Sequence, residues 1–153
     1  MKEERCLLNG YVIMPNHMHL IIYQDENNKS LNKIMAESKR FLAYEIVKRL
    51  KQKERADILQ KLEDGVQQNE RSKGKKHQVF RLSFDAKKLD EKEVESVLDY
   101  IHRNPVSGVW NLVSDFADFK YSSASYYERG ESSFYNLIDY RSVGSESSAS
   151  DSE

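Results

Sequence analysis

Residues 7–23, LLNGYVIMPNHMHLIIY, decide the reading of this chain. Tyr11, Val12 and Ile13, and again Leu20, Ile21, Ile22 and Tyr23, have the β-branched and aromatic bias of strands. Between them, Met14-Pro15-Asn16 supplies turn chemistry, because proline fixes φ and asparagine bonds its own backbone. The stretch predicts a β-hairpin or a sharply bent strand pair, with a polar turn following over Asp25 to Lys29. Side chains alternate along a strand, so His17 and His19 share one face and Met18 takes the other. Two imidazoles side by side are a ready pair of metal ligands. The plain alternative is a pair of surface or hydrogen-bonded core histidines.

Beyond the hairpin, the apolar residues Leu31, Ile34, Met35, Phe41, Leu42, Ile46 and Leu50 recur at helical spacing behind Ser30, a good N-cap. They predict an amphipathic helix over 31–51, with Lys33, Lys39, Arg40, Lys48 and Arg49 on its polar side. Ile58, Leu59 and Leu62 predict a shorter helix ending near Gly65, and the Lys-rich stretch 66–78 reads as a loop. Val79 to Phe84 alternates as a half-buried strand does. Asp90 and Glu93 form a capping-box pair that opens a helix through Val94, Val97, Leu98 and Ile101. Pro105 is expected to stop it. Residues 106–121 read as irregular, with Trp110, Phe116 and Phe119 packing on the core. A short helix is expected over Ser122 to Glu128, before Gly130. The domain is therefore drawn as 1–141, with a disordered tail from Ser142 onward, where serine and acid dominate.

Composition narrows the setting. The 153 residues are 39% hydrophobic and 32% charged, which fits one folded domain and excludes collagen-like or wholly disordered chains. No apolar run has the length that crosses a bilayer. Met1 to Arg5 are charged without an apolar run behind them, and Cys6 is the sole cysteine. Both point to a cytoplasmic, reducing compartment and to no membrane partner. The 24 basic and 25 acidic residues nearly cancel, but not locally. Lys33 to Arg55 holds eight Lys/Arg against three Glu, and Arg71 to Lys88 holds seven against one Asp. Taken singly, such runs are usually solvated faces.

A second chemical signal lies at Tyr100-Ile101-His102-Arg103-Asn104-Pro105. Tyr100 and Asn104 stand four apart on a helix, about 6 Å apart at Cβ. A tyrosine beside an amide oxygen able to complete a metal site is a nucleophile with its Lewis acid. Read alone, it is a packing tyrosine followed by an Asn-Pro helix stop.

Together, YVIMPNHMHLII (11–22) and YIHRNPV (100–106) resemble the HUH single-tyrosine transposases. The resemblance is closest to the branch associated with repetitive extragenic palindromes. The basic helix after Ser30 and the segment FKYSSA (119–124) agree with that branch. The likeness runs from about residue 8 to 130. It implies an α+β fold, a ferredoxin-like antiparallel sheet with helices packed on one face. It implies that His17, His19 and Asn104 bind Mg2+ or Mn2+ and that Tyr100 is the catalytic nucleophile. The reaction implied is cleavage of single-stranded or hairpin DNA, giving a 5′-phosphotyrosine link and a free 3′-OH that can rejoin another strand. Lys39, Arg40, Lys48, Arg49, Lys73, Lys75, Lys76, His77, Arg81 and Arg103 become candidates for gripping the DNA backbone. Members carry a further strand and helix ahead of the HUH strand, where Met1 to Leu8 stand here. The expectation is an open sheet edge beside that strand, with three alternatives: a truncated or decayed copy, a second copy filling the gap in a homodimer, or a true start lying upstream. Two rival readings are a non-catalytic hairpin-DNA-binding remnant and a small metal-binding module that uses His17 and His19 alone.

Overall fold

The computed structural model describes residues 6–24, 30–81 and 85–143. They form two compact units, one built from the N-terminal residues and the chain after 87, the other from residues 29–87.

The first unit is built on the expected hairpin. β1 (Cys6–Ile13) and β2 (Met18–Gln24) pair antiparallel, with Tyr11 opposite Leu20 and Val12 opposite His19. The register slips between Leu8 and Gly10, so Asn9 forms a bulge. Asn9 is buried, and the bulge is held from outside: its Nδ2 donates to the Ile138 carbonyl at 2.8 Å, and the Tyr127 hydroxyl donates to the Asn9 carbonyl at 2.6 Å. Proline and asparagine do make the bend, closed by a 2.8 Å bond from the Met14 N–H to the His17 carbonyl.

In the second unit, α1 (Leu31–Gln52) turns through residues 53–55 into α2 (Ala56–Asp64), against which it packs. Gly65 caps α2, as its position suggested. A single short helix, α3 (Gln68–Arg71), interrupts the expected loop. Ser30 does stand at the N-cap of α1, but its side chain makes no capping bond. The apolar face drawn from spacing is also less covered than expected, with Phe41 at 63% and Leu42 at 44% exposure.

The strand expected over Val79 to Phe84 is not formed by residues 79–81, and Leu82 to Phe84 lie outside the described residues. Alternation supplies two faces, but a strand also needs a ladder partner. Here the Gln78 N–H donates to Leu62 at the end of α2, and the Gln78 side chain bonds the Phe80 carbonyl.

Back in the first unit, α4 (Glu91–His102) opens with the full capping box. The Glu93 N–H donates to the Asp90 carboxylate at 2.9 Å, and the Asp90 N–H to the Glu93 carboxylate at 3.1 Å. It ends at His102, three residues before the proline expected to stop it, and Pro105 is buried in a tight 3-10 turn over 104–106. α4 lies on the hairpin, and Gly10 is what lets it come close. A Cβ on Gly10 would stand 2.5 Å from Leu98 Cδ1. Val12, Met14, Ile21, Leu98 and Ile101 form the buried core, and Trp110 and Phe119 pack against it as expected. Phe116 lies instead under the Arg103 guanidinium, 5.0 Å away.

α5 (Ala124–Arg129) follows and is closed by Gly130 in the left-handed region at φ 66°, where a side chain would be strained. α6 (Tyr140–Val143) is the last described element, so Ser142 and Val143 are helical, and the rest of the expected tail lies outside the described residues. The outer edge of β1 is covered from this region, by the Ile13 N–H donating to Tyr121 at 2.8 Å and by Leu8 accepting from Ile138 at 2.9 Å. The fold is α+β: an antiparallel sheet packed with helices. Among the described residues that sheet has two strands, and β1 is the one ladder neighbour of β2.

Candidate active site

His17 sits at the exit of the bend and His19 one step into β2. Their rings lie 5.1 Å apart, centre to centre, with planes at 80°. The Nδ1 of His17 is bonded to the Asn16 side-chain oxygen at 2.5 Å, which orients the ring. His19 is half-buried, and burial first, then the neighbouring His17, pushes its pKa below the ordinary histidine value. A neutral imidazole keeps a lone pair for a cation.

The tyrosine comes from the last turn of α4. Tyr100 is 65% exposed, so it is not a packing residue. Its ring meets that of His19 at 6.2 Å, with planes at 69°. Strand and helix therefore bring His17, His19 and Tyr100 into one cluster. Trp110, assigned from the sequence to core packing alone, also reaches it, with its ring 6.0 Å from that of His17.

Asn104 stands at the foot of the same helix. Its Nδ2 donates to the carbonyls of Tyr100 and Ile101, at 3.1 and 3.3 Å, capping the end of α4. That leaves its side-chain oxygen as an acceptor. Among the described residues no three His, Cys, Asp or Glu gather as a metal cluster. The structure brings His17 and His19 together with Tyr100, and Asn104 is linked to them through its bonds to the end of the Tyr100 helix. Imidazole nitrogens and an amide oxygen are donor types that a divalent cation accepts.

No family model, curated protein or solved structure matches this chain.

Other tyrosines compete poorly. Burial pushes the Tyr127 hydroxyl up to about 12, and that group is already committed to the Asn9 carbonyl. Tyr126 stacks edge-on against it at 5.0 Å, and Tyr121 sits beneath the Lys120 ammonium at 4.8 Å. The basic candidates divide between the units. Arg103, beside the cluster, is ion-paired to Asp99 at 2.8 Å. Lys39, Arg40, Lys48, Arg49, Lys73, Lys75, Lys76, His77 and Arg81 all belong to the unit of residues 29–87. Glu45 partly neutralises Lys48 and Arg49, at 3.7 and 2.9 Å, and Glu70 stands near Lys73 and Lys75. Among the described residues no helix is long and apolar enough to cross a membrane.

The spacing argument missed the partnership of His102 with Ser123. His102 is 1% exposed, with its Nε2 2.8 Å from Ser123 Oγ. A signal was present, since His102 lies four residues after Leu98 and so interrupts the apolar stripe with a polar ring.

Proposed function

We propose that this chain is a metal-dependent enzyme that cleaves and rejoins single-stranded DNA through Tyr100, in the manner of the HUH single-tyrosine transposases. The observation that carries the reading is the exposed Tyr100 ring standing 6.2 Å from His19, which is itself paired with His17. An exposed phenol beside two imidazoles has little use in packing. It has an evident one in attack on a phosphodiester.

The balance of the step is simple. The Tyr100 oxygen, having given its proton to solvent or a base, forms a bond to phosphorus. The bond from phosphorus to the 3′ oxygen breaks, and that oxygen takes up a proton. The products are a 5′-phosphotyrosine and a free 3′-OH. The linkage keeps the energy of the diester, so the reverse reaction needs no ATP. Bound Mg2+ or Mn2+ would supply charge neutralisation at the phosphate. His17, His19 and the Asn104 side-chain oxygen are the residues that would hold it. A free tyrosine ionises near pH 10 and is a poor nucleophile at neutral pH, so the charge that a bound cation would supply at the phosphate is the help such a group needs. Arg103 is suited to the flanking phosphate, and the basic residues of the 29–87 unit are, taken by themselves, suited to phosphates of the DNA backbone.

A denaturing gel with a labelled single-stranded oligonucleotide and Mn2+ tests the reading. A protein-sized labelled band supports it. Salt-sensitive filter binding with no such band would favour the non-catalytic DNA-binding remnant instead.

A further inference from the structure

Tyr100 and His102 are two residues apart on α4, which puts their side chains on opposite sides of the helix. One ring is exposed and the other is buried. The buried ring meets Ser123, and Ser123 grips the hairpin in three ways. Its Oγ accepts from the Tyr11 N–H at 2.9 Å and lies 3.2 Å from the Tyr11 carbonyl. Its N–H donates to that same carbonyl at 2.9 Å. The next residue, Val12, is the strand partner of His19.

We infer that His102 is a positioning residue for this site: through Ser123 it fixes where Tyr100 stands relative to His19. The inference rests on reading Tyr100 as the nucleophile and His19 as a ligand. Besides the Tyr100 ring against His19, α4 meets the hairpin through the apolar side chains of Leu98 and Ile101. Apolar contacts hold a helix down but have no direction, so they resist sliding and rotation weakly. The His102 to Ser123 bond is short, buried and directional, and it sits one half-turn from the nucleophile. Without it Ser123 keeps its bonds to Tyr11, so the hairpin survives while the last turn of α4 loses its fixed register. A displacement of the order of 1 Å at a reacting atom costs roughly a hundredfold in rate.

The test uses the full chain labelled with 3-fluorotyrosine and read by fluorine NMR, with the Tyr100 signal assigned by its loss in Tyr100→Phe. Replacing His102→Leu keeps an apolar filling but removes the bond. His102→Gln restores a donor or acceptor near the old Nε2, and Ser123→Ala removes the partner oxygen. The Tyr100 signal should move or broaden in His102→Leu and Ser123→Ala and return toward its original place in His102→Gln. The Tyr44 signal, from α1, should stay fixed throughout. Adduct formation with a single-stranded oligonucleotide and Mn2+ should fall roughly a hundredfold in the first two variants, with Gln recovering most of it. Should His102→Leu lose its cooperative melt, His102→Gln decides the matter, because Ser123→Ala also takes the acceptor from the Tyr11 N–H. An unchanged Tyr100 signal in a folded variant, or no recovery with Gln, overturns the inference. A wild type that forms no adduct yet gives the expected signals would sink the catalytic reading and leave the positioning role standing.

Discussion

The imidazole of His19 and the phenol of Tyr100 meet edge to face with centroids 6.2 Å apart, one from a strand and the other from the end of a helix. Neither residue type needs the other for folding. Their meeting is what turns two separate sequence signals into a single site, and the consequences can be measured.

The histidine pair should bind Mn2+, followed by loss of the free-ion signal in electron paramagnetic resonance. Either His17→Ala or His19→Ala should abolish that binding while leaving the melting curve nearly unchanged, because His17 is exposed and His19 only half-buried. Binding should weaken as pH falls and His19 protonates. For His19 the loss should come below the ordinary histidine range, because burial and His17 both disfavour its charged form. Binding that survives either substitution would place the ion elsewhere.

His102 makes stability depend on pH. Burial holds its pKa down at about 4 in the fold, against the opposing pull of the Asp99 carboxylate, while the unfolded chain titrates near 6.5. Between those values the unfolded state binds a proton that the folded state refuses. The contribution is therefore complete above pH 6.5 and is lost as pH falls from there toward 4. By pH 5 the loss should be about 2 kcal/mol. Urea unfolding at pH 7.5 and pH 5 should show this drop in the wild type and a smaller one in His102→Leu.

Close packing of α4 on β1 gives a third expectation. Gly10→Ala places a methyl against the buried Leu98 side chain and should cost about 1–3 kcal/mol. Leu98→Ala alone should cost about 2–5 kcal/mol through its cavity. Because the added methyl and the deleted side chain occupy the same space, the double variant should lose less than the two costs added together. Simple additivity in urea unfolding would mean that the two residues do not touch.

What the sequence made legible follows how local each interaction is. The hairpin, the capping box at Asp90 and the glycine ends of α2 and α5 depend on residues a few positions apart, and the pattern carried them. The shared face of His17 and His19 was equally local, whereas Tyr100, which read alone was a packing residue, is exposed. The segment after Gln78 was misread as a strand through Val79 to Arg81, because alternation is silent about whether a ladder partner exists. The Ser123 partner of His102 lies 21 residues onward, at the N-cap of α5, beyond the reach of any periodicity. Gly10 gave no hint that Leu98 needed its missing Cβ.

The central claim is that Tyr100 carries a covalent link to DNA. Tyr100→Phe removes one oxygen from an exposed ring, so folding and filter binding of a single-stranded oligonucleotide should stay within about twofold of wild type. On a denaturing gel with labelled oligonucleotide and Mn2+, the wild type should give a protein-sized band and Tyr100→Phe none. The triple Phe variant of Tyr121, Tyr126 and Tyr127 should keep some of that band. A labelled band from Tyr100→Phe would contradict the account.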